Sequence, residues 1–193
     1  MNFKQLLLIY LFLCFYATER AVFAFMVPYA IRITRLTWLT SIPFLTYIAL
    51  FFISVIEFSL SADITLNCII SVMGIFFMVL GIFLRYQAVS VFRNNKQKWI
   101  SHIDAENISV LITVGPYKFF RHPYYLSVML ELCGIALLLN SYKAMIFIFL
   151  IQSPLLYKRI VAEESELSNK FGEQYLLYKK QVMAILPFWS KKK

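Results

Sequence analysis

The side chains able to do chemistry in this chain fall into two clusters. In the first, Gly115-Pro116-Tyr117 is followed by Arg121-His122-Pro123-Tyr124-Tyr125. A cation, an imidazole and three tyrosines thus lie within a few turns' length. In the second, Arg159 is followed four residues later by Glu163, then Glu164, with Phe171-Gly172, Tyr175 and Tyr178 beyond. Residues four apart share one helix face, so Arg159 and Glu163 would project together. An arginine's planar fork orients anions. A glutamate accepts hydrogen bonds from hydroxyls or an ammonium, and tyrosine rings attract a nearby cation. His122 or Glu164 could remove a proton from an acceptor that carries one. A plainer reading of the first cluster is a helix entrance, with Pro123 starting the helix, Arg121 snorkelling and His122 capping. A plain surface helix would explain the charges of the second cluster, but not its Phe-Gly or its paired tyrosines.

The elements that position these groups have to be membrane helices. Of 193 residues, 61% are hydrophobic and 15% charged, which leaves too little polar surface for a soluble domain, and the apolar runs reach bilayer-spanning length. The net charge of +9 is scattered at the ends of apolar runs. It therefore reads as positive residues marking the cytosolic side, not as a nucleic-acid surface. Cys14, Cys68 and Cys133 each sit inside an apolar run and read as small hydrophobes. With no metal-spaced Cys/His cluster, and His102 and His122 the only histidines, no metal site is expected.

Taken in order, Leu6 to Tyr16 could pass for a signal peptide, but Ala17-Thr18-Glu19-Arg20 lacks a small-x-small cleavage site and hydrophobicity resumes at Ala21. Residues 5–31 therefore read as one span with Glu19 and Arg20 at membrane depth, either a functional site or a pair neutralised against a neighbouring helix. After a basic loop with Arg32 and Arg35, Leu36–Leu60 is the second span, with Pro43 near its start. Ser61-Ala62-Asp63 is a short turn, and Ile64–Val91 the third span. There Gly74 and Gly81 lie on one face for close packing, and Arg85 can snorkel to the interface. A polar stretch follows, then Gly115-Pro116 as a turn. Tyr125–Leu139 is a fourth span carrying Glu131, Asn140 to Lys143 a short turn, and Ala144–Tyr157 a fifth span opened locally by Pro154. From Lys158 the pattern becomes an amphipathic helix interrupted near Gly172, and Leu186-Pro187-Phe188-Trp189 suits an interfacial anchor. The expected fold is an all-α membrane protein of about five transmembrane helices plus a C-terminal amphipathic helix. It forms a single integral membrane domain over 1–193, with three spans in 1–92 and the motif region in 93–193. Five spans put the basic segments on one face, with Lys4 and Lys143 opposite, so both polar clusters face the cytosol.

The motifs G-P-Y-K-F-F-R-H-P-Y-Y-L and R-I-V-A-E-E-S-E-L, the latter leading to F-G-E-Q-Y-L-L-Y, resemble the isoprenylcysteine carboxyl methyltransferase family of integral membrane enzymes. The resemblance covers roughly Trp99 to Pro187, with two motifs in the right order separated by one span and a turn. It implies a cytosol-facing site for S-adenosyl-L-methionine. Carried over residue by residue, the cofactor positions are Ser109, Val110, Leu111 and Ile112, then Tyr117, His122, Pro123, Tyr124 and Tyr125, and finally Glu163. Arg159 is the substrate-side residue, and Arg159 and His122 are the catalytic candidates. His102 falls near a further cofactor position. Two positions depart from the usual pattern: Ser109 stands where a histidine is common, and Ser127 where a glycine is common, which would narrow the opening between helices. The V-M-L-E-L run after Ser127 resembles a bacterial branch that methylates polyketide-derived alkylpyrones. The implied reaction is methyl transfer to an oxygen of a lipophilic acceptor, such as a prenylcysteine carboxylate or an alkyl polyketide, entering from the lipid bilayer. Competing classes are a phospholipid N-methyltransferase, a non-catalytic membrane protein and a small transporter. Against the last, Glu19, Arg20, Glu57 and Glu131 form no obvious line in the sequence, and no inverted repeat is visible.

Overall fold

The structure is a computed structural model that describes residues 3–26, 38–60, 67–94 and 110–185. The expectations for the Arg32/Arg35 loop, the turn at 61–63, His102, Ser109 and the anchor at 186–189 fall outside these residues. Helices α1 (Phe3–Met26), α2 (Trp38–Leu60) and α3 (Cys68–Asn94) are followed by a 3-10 turn at Gly115–Lys118. Then come α4 (Pro123–Leu138), α5 (Tyr142–Phe171) and α6 (Glu173–Gln181). The chain is thus an all-α membrane protein.

Three stretches are long and apolar enough to cross a bilayer among the described residues: Ile42–Leu60, Cys68–Val91 and Tyr142–Phe171. Pro123–Leu138 is apolar, but its 16 residues reach only about 24 Å, against about 30 Å of hydrocarbon. The expected split between a fifth span ending at Tyr157 and a separate amphipathic helix is corrected, because α5 runs unbroken to Phe171. Polarity changes at Lys158, yet no glycine or proline there can end a helix. Termination waits for Gly172, whose φ of 52° and ψ of −127° are open to a residue without Cβ. The opening expected at Pro154 takes the form of a π turn at Ile148–Gln152, just before the proline that cannot donate a backbone hydrogen bond. Gln152, buried in that turn, donates to the Pro43 carbonyl (3.2 Å) and accepts from Thr46 Oγ1 (2.5 Å), which ties α5 to α2. Pro43 itself lies inside α2, past its first turn.

The most extensive packing is between α3 and α4, and its cause is glycine. A Cβ on Gly74 would lie 2.7 Å from the Gly134 carbonyl oxygen, and one on Gly134 would lie 2.8 Å from that of Gly74. Further along, a Cβ on Gly81 would lie 2.7 Å from Glu131 Cγ. Backbones this close leave no room to give, so the Gly74 and Gly81 face does what its spacing suggests. Gly74→Val is expected to destabilise by roughly 1–3 kcal/mol or more, read as a lower melting temperature in detergent. A valine at lipid-facing Phe76 should leave the melting temperature near wild type.

The intramembrane charges differ from expectation in two respects. Arg85 does not snorkel: it is fully buried, with Nε 3.0 Å from Glu131 Oε1 and Nη2 2.6 Å from Glu19 Oε2. Arg20 Nη1 lies 3.4 Å from Glu131 Oε2, the Tyr16 hydroxyl donates to the same oxygen, and the Arg20 guanidinium sits over the Tyr47 ring. Glu19, Arg20 and Glu131 therefore meet after all, across α1, α3 and α4, in a net-neutral group with Arg85. Glu57 stands apart from them. It accepts from the Ser141 hydroxyl and from the N–H groups of Lys143 and Ala144, closing the N-terminus of α5.

Candidate functional site

Residues 115–122 form the entrance to α4. Gly115 takes φ 63° ahead of Pro116, and the 3-10 turn delivers the chain to Phe120, which forms a parallel bridge with Met183. Backbone bonds continue it, with Arg121 N–H donating to Met183 O (2.7 Å) and His122 N–H to Ala184 O (3.1 Å). The segment after α6 is thereby laced to the first motif.

Arg121 reinforces this joint instead of snorkelling. It is buried and donates to Glu164 Oε1 (2.8 Å), the Lys179 carbonyl (2.7 Å) and the Val182 carbonyl. Glu164 also receives Lys179 Nζ at 2.7 Å and His122 Nε2 at 3.3 Å. His122 occupies the N-cap position of α4, but its side chain makes no cap bond and turns to the glutamates, with Nδ1 3.9 Å from Glu163 Oε2. The helix-entrance reading of Arg121 and His122 is corrected on both counts, because the buried Glu164 carboxylate of α5 draws both side chains inward.

The second motif meets the first at Tyr125. Its hydroxyl donates to Glu163 Oε2 (2.7 Å) and accepts from Arg159 Nε (2.6 Å), while the Arg159 guanidinium lies 5.3 Å from its ring centre. The His122 ring stacks on the same tyrosine, with centroids 5.7 Å apart. One turn of α5 separates Arg159 from Glu163, and both reach the same phenol. Tyr117 is fixed from α6, where the Tyr178 hydroxyl donates to its carbonyl at 2.6 Å. Burial pushes the Tyr178 phenol above its ordinary value, so the donor keeps its proton.

Of the residues singled out in the sequence, His122, Tyr125, Arg159 and Glu163 converge directly. Pro123 is buried as the first residue of α4. Ile112 packs on Val91 at the end of α3, with Tyr117 and Tyr124 against them, while Leu111 is half-buried and Val110 exposed. Ser127 lies on α4 where its backbone approaches Gly81 of α3. Its hydroxyl bonds back to the Tyr124 carbonyl at 2.6 Å and the residue is fully buried. The sequence reading missed the grip of Arg121 on Glu164 and of Tyr178 on Tyr117. The signal available was that each motif holds charged or aromatic residues in adjacent or turn-spaced pairs, where one member can serve the site and the other the scaffold.

Comparison with known proteins gives concordant findings. A model of the isoprenylcysteine carboxyl methyltransferase (ICMT) family matches residues 72–169, from within α3 to near the end of α5. It starts earlier than the motif resemblance and stops before Phe171. The chain is similar to the protein-S-isoprenylcysteine O-methyltransferase of Xenopus laevis, 31% identical over 133 residues, covering 69% of this chain and 46% of that protein. The Schizosaccharomyces pombe protein of the same name is 30% identical over 114 residues, covering 58% and 47%. Protein-S-isoprenylcysteine O-methyltransferase B of Arabidopsis thaliana is 28% identical over 194 residues, covering 97% and 95%. The chain thus spans about half the length of the frog and yeast relatives it matches.

Proposed function

Because the chain belongs to the isoprenylcysteine carboxyl methyltransferase family, we propose that it transfers a methyl group from S-adenosyl-L-methionine to an oxygen of a lipophilic acceptor at the membrane. The observation that carries this reading is the Arg159–Tyr125–Glu163 linkage, in which one phenol orients an anion-binding guanidinium and a carboxylate side by side. S-adenosyl-L-methionine supplies an electrophilic methyl group on a sulfonium. The donor set suits such a molecule. Glu163, whose side chain is 28% exposed, can accept from ribose hydroxyls or an ammonium, and the half-buried Tyr124 ring beside Tyr125 can tolerate a sulfonium against its face. Tyr117 and the Val110–Ile112 segment would complete the donor pocket, with Pro123 setting the direction of α4.

Arg159 would hold the acceptor's anionic oxygen, and the buried surroundings would keep water from it. Glu164 is a poor general base, because its two oxygens are engaged by Arg121, His122 and Lys179. That favours an acceptor already ionised, a carboxylate such as that of a prenylcysteine, over a phenol or enol of an alkyl polyketide. In this reading residues 1–92 scaffold a single membrane unit, 93–193 carry the site, and the basic segments face the cytosol.

The test is calorimetric binding of S-adenosylmethionine to the detergent-purified chain. Saturable binding should weaken at least about tenfold in both Glu163→Ala and His122→Ala, the loss of one hydrogen-bond partner each. If the intact chain binds nothing, the reading is wrong. Incubating a lipid extract with methyl-labelled donor then identifies the acceptor class.

A further inference from the structure

The Phe-Gly motif carries two tyrosines on one face of α6, and only one of them is accounted for. The Tyr178 hydroxyl is bonded to Tyr117 O. Tyr175, nearly a turn earlier, is 1% exposed, yet its hydroxyl has no hydrogen-bond partner among the described residues. Buried hydroxyls are almost always satisfied, by protein, water or ligand. This one keeps its proton, since burial, with Glu164 beside it, pushes the phenol well above its ordinary value.

Its surroundings locate it. Gly172 turns the chain back so that α6 lies against the α4 entrance, and the charged groups facing the phenol are Glu164, Arg121 and Glu163. The Tyr178 ring lies alongside, with centroids 6.1 Å apart. Tyr175 therefore lies beside Tyr178, which fixes Tyr117, and within electrostatic reach of Arg121, Glu163 and Glu164, the last of which holds His122. We propose that the Tyr175 hydroxyl hydrogen-bonds the methyl donor directly and is a binding residue of that pocket. The proposal rests on the functional reading above and adds a contact supplied by α6.

The test exploits two effects of opposite sign. Deleting a hydroxyl that lacks a protein partner removes a desolvation cost from the ligand-free protein and a contact from the complex. Tyr175→Phe in the full chain should therefore melt at or above the wild-type temperature without ligand, yet bind S-adenosylhomocysteine about tenfold more weakly by calorimetry. Tyr178→Phe, which breaks a protein–protein bond, should instead melt lower without ligand. Binding of 5′-methylthioadenosine, which lacks the amino-acid part, sorts the contact: an equal loss places it on the nucleoside, and no loss places it on the amino-acid end. Unchanged S-adenosylhomocysteine affinity in Tyr175→Phe overturns the proposal and assigns the hydroxyl to a trapped water or to the Glu164 network. A variant that melts lower or fails to fold overturns it equally, because an unpartnered hydroxyl cannot hold the fold together. If the wild-type chain binds no donor, the functional reading falls and takes this inference with it. If the wild type binds and the variant binds as well, only this inference falls.

Discussion

Arg159→Lys is expected to lower kcat/KM for a lipophilic carboxylate acceptor by roughly 10²- to 10³-fold, the usual cost of removing one oriented donor from a developing or reacting oxygen. The affinity for the methyl donor should stay within about threefold, well under the tenfold that 1.4 kcal/mol represents. Lysine keeps the positive charge, so the effect isolates geometry. The guanidinium is buried, its Nε is bonded to the Tyr125 hydroxyl at 2.6 Å, and it lies 5.3 Å from that ring's centre. These contacts fix the plane of a fork that can meet a carboxylate edge-on, which a single ammonium on a flexible stem cannot reproduce. The Tyr125 hydroxyl would still donate to Glu163 Oε2, so the carboxylate assigned to the donor keeps its orientation. Single-turnover transfer from labelled S-adenosylmethionine to an S-prenylated N-acetylcysteine, beside calorimetry of the donor alone, separates the two effects. A matching loss of donor affinity would move Arg159 into the donor pocket, and unchanged turnover would remove it from the site.

What a single sequence can disclose is seen in which side chains kept their expected neighbours. Arg159 and Glu163 converge because they share a helix face, and that is written in their spacing. Gly74 and Gly81 mark a packing face for the same reason, and Gly172 ends a helix by its own backbone freedom. Arg85 is the opposite case. Near the end of an apolar run, snorkelling and inward pairing read identically, and the choice depends on acids 66 and 46 positions away on other helices. Arg121 and Glu164 likewise find each other across 43 positions. The continuity of α5 was hidden for another reason: a change from apolar to amphipathic composition alters which solvent a helix faces, not whether its backbone bonds continue. Periodicity thus reveals faces and stops, while pairings between distant charges need the packed helices themselves.

The buried charges of α1, α3 and α4 carry the other large expectation. Glu131→Ala should destabilise the chain by roughly 3–5 kcal/mol, the cost of leaving a buried ion without its partner, enough to deplete folded protein in detergent. Glu131 is fully buried, accepts from Arg85 Nε and the Tyr16 hydroxyl, and has Arg20 Nη1 3.4 Å away, so its removal leaves two guanidiniums to one remaining acid, Glu19. Combining Glu131→Leu with Arg85→Met restores neutrality with apolar groups of similar volume. That pair should recover most of the lost melting temperature, because a buried ion pair contributes little net stability over well-packed hydrophobic side chains. Failure of the double variant to recover would mean that the pairing geometry itself, and not charge balance, holds α1 against α3 and α4. Methyl-donor affinity per folded molecule discriminates the two uses an intramembrane charge can have. Unchanged affinity in the double variant fixes the cluster as scaffold, whereas normal melting of Glu131→Ala with lost turnover would make it part of the working site.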